Sequence, residues 1–128
     1  ERGITSVKDG CSGQAACGAC LIELEGKPAL ACSTRMKRLA GKKVVTIEGF
    51  PENVRRTLGR AFVAKAAVQC GFCTPGQIMS VEGLLRQNPS PSIDEIRLGV
   101  SGNLCRCGTY KHIFNAVGRA VQLKRGGA

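Results

Sequence analysis

The residues of this chain best equipped for chemistry are its eight cysteines, and their spacing divides them into two sets of four. Cys70 and Cys73 lie in Gln69-Cys-Gly-Phe-Cys-Thr-Pro-Gly76 and are answered further on by Cys105-Arg106-Cys107. Cys11, Cys17 and Cys20 stand in the stretch Cys11-Ser-Gly-Gln-Ala-Ala-Cys17-Gly-Ala-Cys20, with Cys32 beyond it. Small side chains let a backbone wrap closely round a bulky object, and close C-x2-C and C-x-C pairs are spacings of metal-chelating thiolates. Three unliganded thiols in so short a loop would be an oxidation liability. Each set therefore predicts one metal site, either an iron–sulfur cluster or a structural zinc, since four thiolates serve both. Zinc ribbons usually pair two C-x2-4-C knuckles, and a C-x2-C partnered by C-x-C departs from that pattern, which favours iron.

An even cysteine count in a short chain also fits a secreted disulfide framework. The chelating spacings and the lack of a hydrophobic signal segment argue against it, so a cytoplasmic protein is expected. No apolar run approaches the roughly 20 residues of a membrane span. The net charge of +10 invites nucleic acid or an acidic partner, but no Trp, one Tyr and four Phe leave few rings for bases to stack on. Two oxidised 2Fe-2S clusters with their thiolates, about −2 each, would also bring the sum to about +6. A solvated basic surface or a subunit contact is the plainer reading, with no nucleic-acid partner. There is no Ser/His/Asp set, no Walker loop and no evident acid/base carboxylate pair, so no catalytic residue is predicted. His112, the one histidine, is expected on a helix surface rather than in a metal site.

The elements that must position these thiols follow from the pattern. Leu21 to Leu24, the turn Glu25-Gly26 and Ala29 to Cys32 predict a hairpin that returns Cys32 to the first cysteine loop. Ser33 to Ala40 predicts a short helix, and Val44 to Glu48 alternates like a half-buried strand. Gly49-Phe50-Pro51 marks a domain boundary, dividing residues 1–50 from 51–128. Beyond it the pattern is helical: Val54, Leu58, Ala61, Phe62 and the run Lys65 to Val68 make an apolar stripe, with Arg55, Arg56 and Arg60 outward. Thr74-Pro75 offers an N-cap and a first-turn proline for a helix through Ile78, Val81 and Leu85 that stops before Asn88-Pro89. Ser92-Ile-Asp-Glu95 is a capping box that should turn Ile93, Ile96 and Val100 inward. Thr109 should cap a last helix with Ile113, Phe114, Val117 and Val121 on one face, and the tail from Lys124 should fray. Two helix starts, after Cys73 and after Cys107, would aim free N–H groups and positive dipole ends at the second set of thiols. Burial among four helices would exclude water from a cluster there.

The first set resembles the plant-type ferredoxin pattern C-x4-C-x2-C…C, with five residues in the first gap here. Taken with Gln69-Cys-Gly-Phe-Cys-Thr-Pro-Gly76, Asn88-Pro-Ser-Pro91 and Gly102-Asn-Leu-Cys-Arg-Cys107, the chain resembles the iron–sulfur subunit or domain of the molybdenum hydroxylases, the group of xanthine dehydrogenase, aldehyde oxidoreductase and carbon monoxide dehydrogenase. The resemblance runs from Lys8 to about Val121 and implies an α+β fold, in which an N-terminal β-grasp ferredoxin domain precedes a four-helix domain. It implies that Cys11, Cys17, Cys20 and Cys32 ligate the more exposed 2Fe-2S cluster. Cys70, Cys73, Cys105 and Cys107 would ligate the cluster nearer molybdopterin, with Gln69 and Cys107 lying against the pterin. The implied role is electron transfer from a molybdopterin-binding large subunit to FAD in a further subunit or to a cytochrome, with no substrate site in this chain. The family has roughly thirty more residues before its first cysteine, forming the opening strands of the β-grasp sheet, so either the sequence starts partway into the native chain or those strands come from elsewhere. Leu21 in place of Thr, and Cys107-Gly108-Thr109-Tyr110 in place of Cys-Thr-Gly-Tyr, are further departures that leave the ligand set intact. The rival from another class is a zinc-stabilised binding module that presents Arg35, Lys37, Arg38, Lys42 and Lys43 to nucleic acid or an acidic protein.

Overall fold

The computed structural model describes residues 3–126. The expected hairpin forms: β1 (Leu21–Leu24) pairs antiparallel with β2 (Lys27–Leu30), Leu21 opposite Leu30. Glu25 and Gly26, at φ 52 and 79, supply the two left-handed residues of a two-residue hairpin turn. A third strand, β3 (Val44–Val45), pairs with the other edge of β1, giving the order β2-β1-β3. It is shorter than its alternation suggested, because Ile47–Gly49 tightens into a 3-10 turn at once. The short helix expected over Ser33 to Ala40 is replaced by two 3-10 turns, Ala31–Ser33 and Met36–Arg38. None of the residues in those turns is buried, so the segment has no apolar stripe with which to fix a full helix against the body.

Four helices follow: α1 (Glu52–Ala64), α2 (Thr74–Gln87), α3 (Ile93–Val100) and α4 (Tyr110–Arg125). The whole is α+β. Leu58, Ala61 and Phe62 of α1 pack on Ile113, Ala116, Val117 and Ala120 of α4, with Val54, Phe114 and Val121 at the margin. Among the described residues, the largest apolar side chains that are essentially inaccessible are Phe62, Leu58, Ile113, Val81, Val100 and Val117. At about 1.5–3 kcal/mol each, their burial is what holds the helices together. The apolar stripe was expected to continue through Lys65 to Val68, but α1 closes at Ala64. Ala66 is left-handed at φ 52 and its N–H returns to Val63 O, while Ala67 N–H reaches Phe62 O at 2.9 Å. That is a Schellman closure made with alanine; it buries Ala67 and leaves Val68 and Gln69 outside.

Helix α3 has its capping box, with Glu95 N donating to Ser92 Oγ and Ser92 N to the Glu95 carboxylate. Ile96 and Val100 turn inward, but Ile93, expected to join them, is half exposed because it is the first residue of the helix. Asn88 is extended before Pro89, as a residue preceding proline must be. Helix α2 packs on α3 on one side and on β1 and β2 on the other, so it joins the sheet to the helices. Glu82 of α2 is buried and accepts from Arg86 Nε at 3.1 Å and Lys124 Nζ at 2.8 Å, and Arg86 reaches on to Glu23 of β1 at 2.5 Å. Lys124 is therefore tied down where a frayed tail was expected, and α4 persists to Arg125; Gly127 and Ala128 lie outside the described residues. His112 is exposed, its Nδ1 3.0 Å from Lys65 O, in keeping with a surface role.

Candidate metal centres

The first cysteine loop is wound by residues in the left-handed region, Ser12, Gly13, Ala15 and Gly18. Lys8 N–H to Ala19 O at 3.1 Å and Leu21 N–H to Gly18 O at 3.2 Å fix its two ends. The loop brings Cys11 and Cys17 side by side. Backbone hydrogen bonding at Ala16, then contact with the Cys17 side chain and amide, holds the Cys11 thiol at about 7, below the ordinary thiol value. The hairpin returns Cys32 as expected: Ala31 N–H donates to Cys20 O at 3.1 Å, and the Cys32 side chain meets Cys20 and feels the charge of Cys11. That contact with Cys20, with desolvation, raises the Cys32 thiol. The first set is thus assembled as two close pairs, Cys11 with Cys17 and Cys20 with Cys32.

The second set is gathered at two helix starts. Cys73 is itself the N-cap residue of α2, one position before Thr74, which was expected to cap; Pro75 occupies the first turn. Gln77 N–H donates to Cys73 O at 3.0 Å. The Cys73 side chain meets Cys105, and Cys70 meets Cys107. Burial, then the neighbouring Cys105, pushes the Cys73 thiol up to about 12. Burial works against ionising Cys105 as well, but hydrogen bonds from the Thr109 side chain and backbone hold it at about 7. Cys70 is lowered by the Phe72 backbone and then by Cys107. Cys107 is lowered by the Cys70 backbone, but the Cys70 side chain, desolvation and the charges of Cys70 and Cys105 leave it raised. Thr109 is the N-cap residue of α4, as expected, and its carbonyl accepts from Ile113 N–H at 3.0 Å, but its hydroxyl lies 3.1 Å from the Cys105 sulfur and caps no amide; the Tyr110 hydroxyl accepts from Cys105 N–H at 2.8 Å. Sequence reading singled out neither as a partner of Cys105, although the run Cys107-Gly-Thr-Tyr110 carried the signal.

Exposure departs from expectation. Cys105 is buried and Cys73 half-buried, but Cys70 and Cys107 are exposed. In the first set Cys17 and Cys20 are buried, Cys11 half-buried and only Cys32 exposed. Within this chain the helical set, not the loop set, is therefore the more open. Gln69 is exposed beside Cys70.

A cavity of about 540 Å³ is lined by Cys17 of the first set and by Cys70, Cys73 and Cys105 of the second. Gly10 forms part of its wall, where a Cβ would stand 3.1 Å from Cys17 Sγ and 3.2 Å from the Phe72 ring. Asn103 joins the two sides. It is 3 % exposed; its Nδ2 donates to Gly18 O at 3.1 Å, its Oδ1 accepts from the Ser80 hydroxyl, and its carbonyl accepts from Gln77 Nε2 at 3.0 Å. Leu104 N–H then reaches Cys17 O at 2.9 Å. Contact this close needs glycine on both sides: a Cβ on Gly18 would lie 2.4 Å from Gly102 O, and one on Gly76 2.6 Å from Gly18 O. Among the described residues no three Cys, His, Asp or Glu side chains converge as they would round one metal ion; the sulfurs come as pairs within each foursome. Eight thiols free of disulfides, a cavity with Gly10 in its wall and amides turned toward sulfur fit a group larger than a single ion and rich in negative charge.

Residues 46–118 match the family model described as the 2Fe-2S binding domain. The small FeS subunit of nicotinate dehydrogenase from Eubacterium barkeri is 42% identical over 121 residues, which is 94% of this chain and 76% of that protein. Quinoline 2-oxidoreductase from Pseudomonas putida 86 superposes with a TM-score of 0.86 at 38% identity, covering 98% of this chain and 78% of that one. The aldehyde oxidoreductase of Desulfovibrio gigas matches with a TM-score of 0.85 at 40% identity over 96% of this chain, which is 14% of its own much longer one. The chain belongs to the iron–sulfur subunits and domains of the molybdenum hydroxylase family.

Proposed function

We propose that this chain carries electrons one at a time from a molybdopterin-binding large subunit to an FAD-binding subunit or a cytochrome, through two 2Fe-2S clusters. The observation that carries the reading is the gathering of all eight thiols into two sets of paired sulfurs either side of the Asn103–Leu104 bridge. A two-iron cluster takes two thiolates per iron and supplies one-electron transfer when bound. Cys11, Cys17, Cys20 and Cys32 would hold one cluster, and Cys70, Cys73, Cys105 and Cys107 the other. The residues up to and including Phe50 then act as the ferredoxin-like part and those from Pro51 as the helical part. The ready ionisation of Cys11 and Cys105, each favoured by backbone hydrogen bonds, suits sulfurs that must bind iron as thiolates. Exposed Gln69, Cys70 and Cys107 form the face where the pterin of the large subunit would approach, and covering that face would give the helical cluster the dry surroundings the chain alone does not provide.

Metal and acid-labile sulfide analysis tests this. The expected result is about four iron and four sulfide per chain with two paramagnetic signals on reduction; about two zinc in a colourless protein would refute it and restore the binding-module alternative. Cys107→Ser should abolish or alter one signal and leave the other unchanged. Loss of both signals together, or of neither, would overturn the assignment into two sets.

A further inference from the structure

The chain's positive charge is concentrated beside the first set. Between Gly26 and Ile47 there are six cations, Lys27, Arg35, Lys37, Arg38, Lys42 and Lys43, and not one Asp or Glu, so this short span holds six of the net ten positive charges. All six are exposed, and among the described residues none enters an ion pair, whereas Arg86, Arg97 and Lys124 elsewhere are each matched to a carboxylate. Cys32, the one exposed thiol of the first set, lies within this span, three residues before Arg35. Met36 stands among the arginines and lysines with 80% of its surface open. The two 3-10 turns, which carry Cys32, Met36, Lys37 and Arg38, bury no residue, so these side chains stabilise no core.

An unneutralised basic surface with Met36 as an apolar knob, beside the one exposed sulfur of the first set, has the makings of an encounter site. Long-range attraction steers a partner of opposite charge, and an apolar contact holds it briefly. The span has no aromatic residue on which a nucleic-acid base could stack. Resting on the electron-transfer reading above, we infer that the face formed by Arg35, Met36, Lys37 and Arg38 around Cys32 is the docking surface for an acidic one-electron acceptor protein. One electron leaves the reduced iron centre held by the first set, which is oxidised, and the acceptor's redox group is reduced by it; no bond in this chain is made or broken.

The test uses the intact chain loaded with iron and sulfide and reduced with dithionite. Its reoxidation is followed by stopped-flow absorption with cytochrome b5, which is acidic, and with cytochrome c, which is basic. The rate with cytochrome b5 should fall about tenfold between 50 and 500 mM salt, while that with cytochrome c should not fall. The triple variant R35E/K37E/R38E should slow cytochrome b5 reduction about tenfold at low salt and speed that of cytochrome c, with the visible spectrum and the rate with uncharged benzoquinone unchanged. A salt-independent rate with cytochrome b5, or a charge-reversed variant as fast as the parent, overturns the docking surface alone. A chain that takes up no iron overturns the underlying reading and the docking surface with it.

Discussion

Asn103→Ala removes the one side chain that fastens the first cysteine loop to α2. Two hydrogen bonds disappear, Nδ2 to Gly18 O at 3.1 Å and the Ser80 hydroxyl to Oδ1. Each contributes about 1 kcal/mol net. Gly18 O still receives Leu21 N–H at 3.2 Å, so it is not orphaned, and half-buried Ser80 can turn to solvent. The small void left where a 3 % exposed side chain stood adds to the loss. The sum is about 2–3 kcal/mol, or on the order of 10 °C in Tm for a chain of this size. Thermal unfolding of the iron-loaded protein, followed by circular dichroism, measures it. Ser80→Ala alone should cost about 1 kcal/mol, and the double variant should be no worse than Asn103→Ala, because the bond shared by the two residues can be lost only once. A parent-like Tm for Asn103→Ala, or losses that simply add, would show that the bridge does not hold the two cysteine sets together.

Glu48 gathers Thr5 N–H, Ser6 N–H, the Ser6 hydroxyl and the Thr46 hydroxyl within 3.0 Å. Burial opposes its ionisation, but those donors hold the carboxyl at about 2, below its ordinary 4.5. The stabilisation is therefore complete above about pH 4.5 and is lost as pH falls through about 2. Glu48→Gln should lower stability at pH 7 by about 1–2 kcal/mol after allowance for solvent screening and flatten the acid limb of the stability profile; an unchanged limb in acid titration of the unfolding midpoint would refute this. Glu82→Ala leaves Arg86 and Lys124 without the buried carboxylate that both share, but each cation retains access to water. The expected loss is about 1–2 kcal/mol in urea unfolding, short of the 3–5 of a fully enclosed pair, and a stabilised variant would contradict it.

What the sequence determined by itself was whatever depends on residues close along the chain. The Glu25-Gly26 turn, the Ser92–Glu95 capping box, the stop at Asn88-Pro89 and the grouping of cysteines by short spacings all follow from local chemistry, and each was legible. Where local patterns lacked partners, they misled: the segment after Cys32 forms only 3-10 turns because it buries nothing, and Val44 to Glu48 gives two strand residues. The tertiary structure alone decided which thiols pair, that the hydroxyl of the N-cap residue Thr109 turns to sulfur, and that Asn103 bridges elements 85 residues apart at Gly18. It also decided that the helical set is open, since exposure depends on what packs over an element. Spacing brings a ligand to a neighbourhood, and only the packing of distant backbone, which Gly18 and Gly76 permit by having no Cβ, sets how two such neighbourhoods meet.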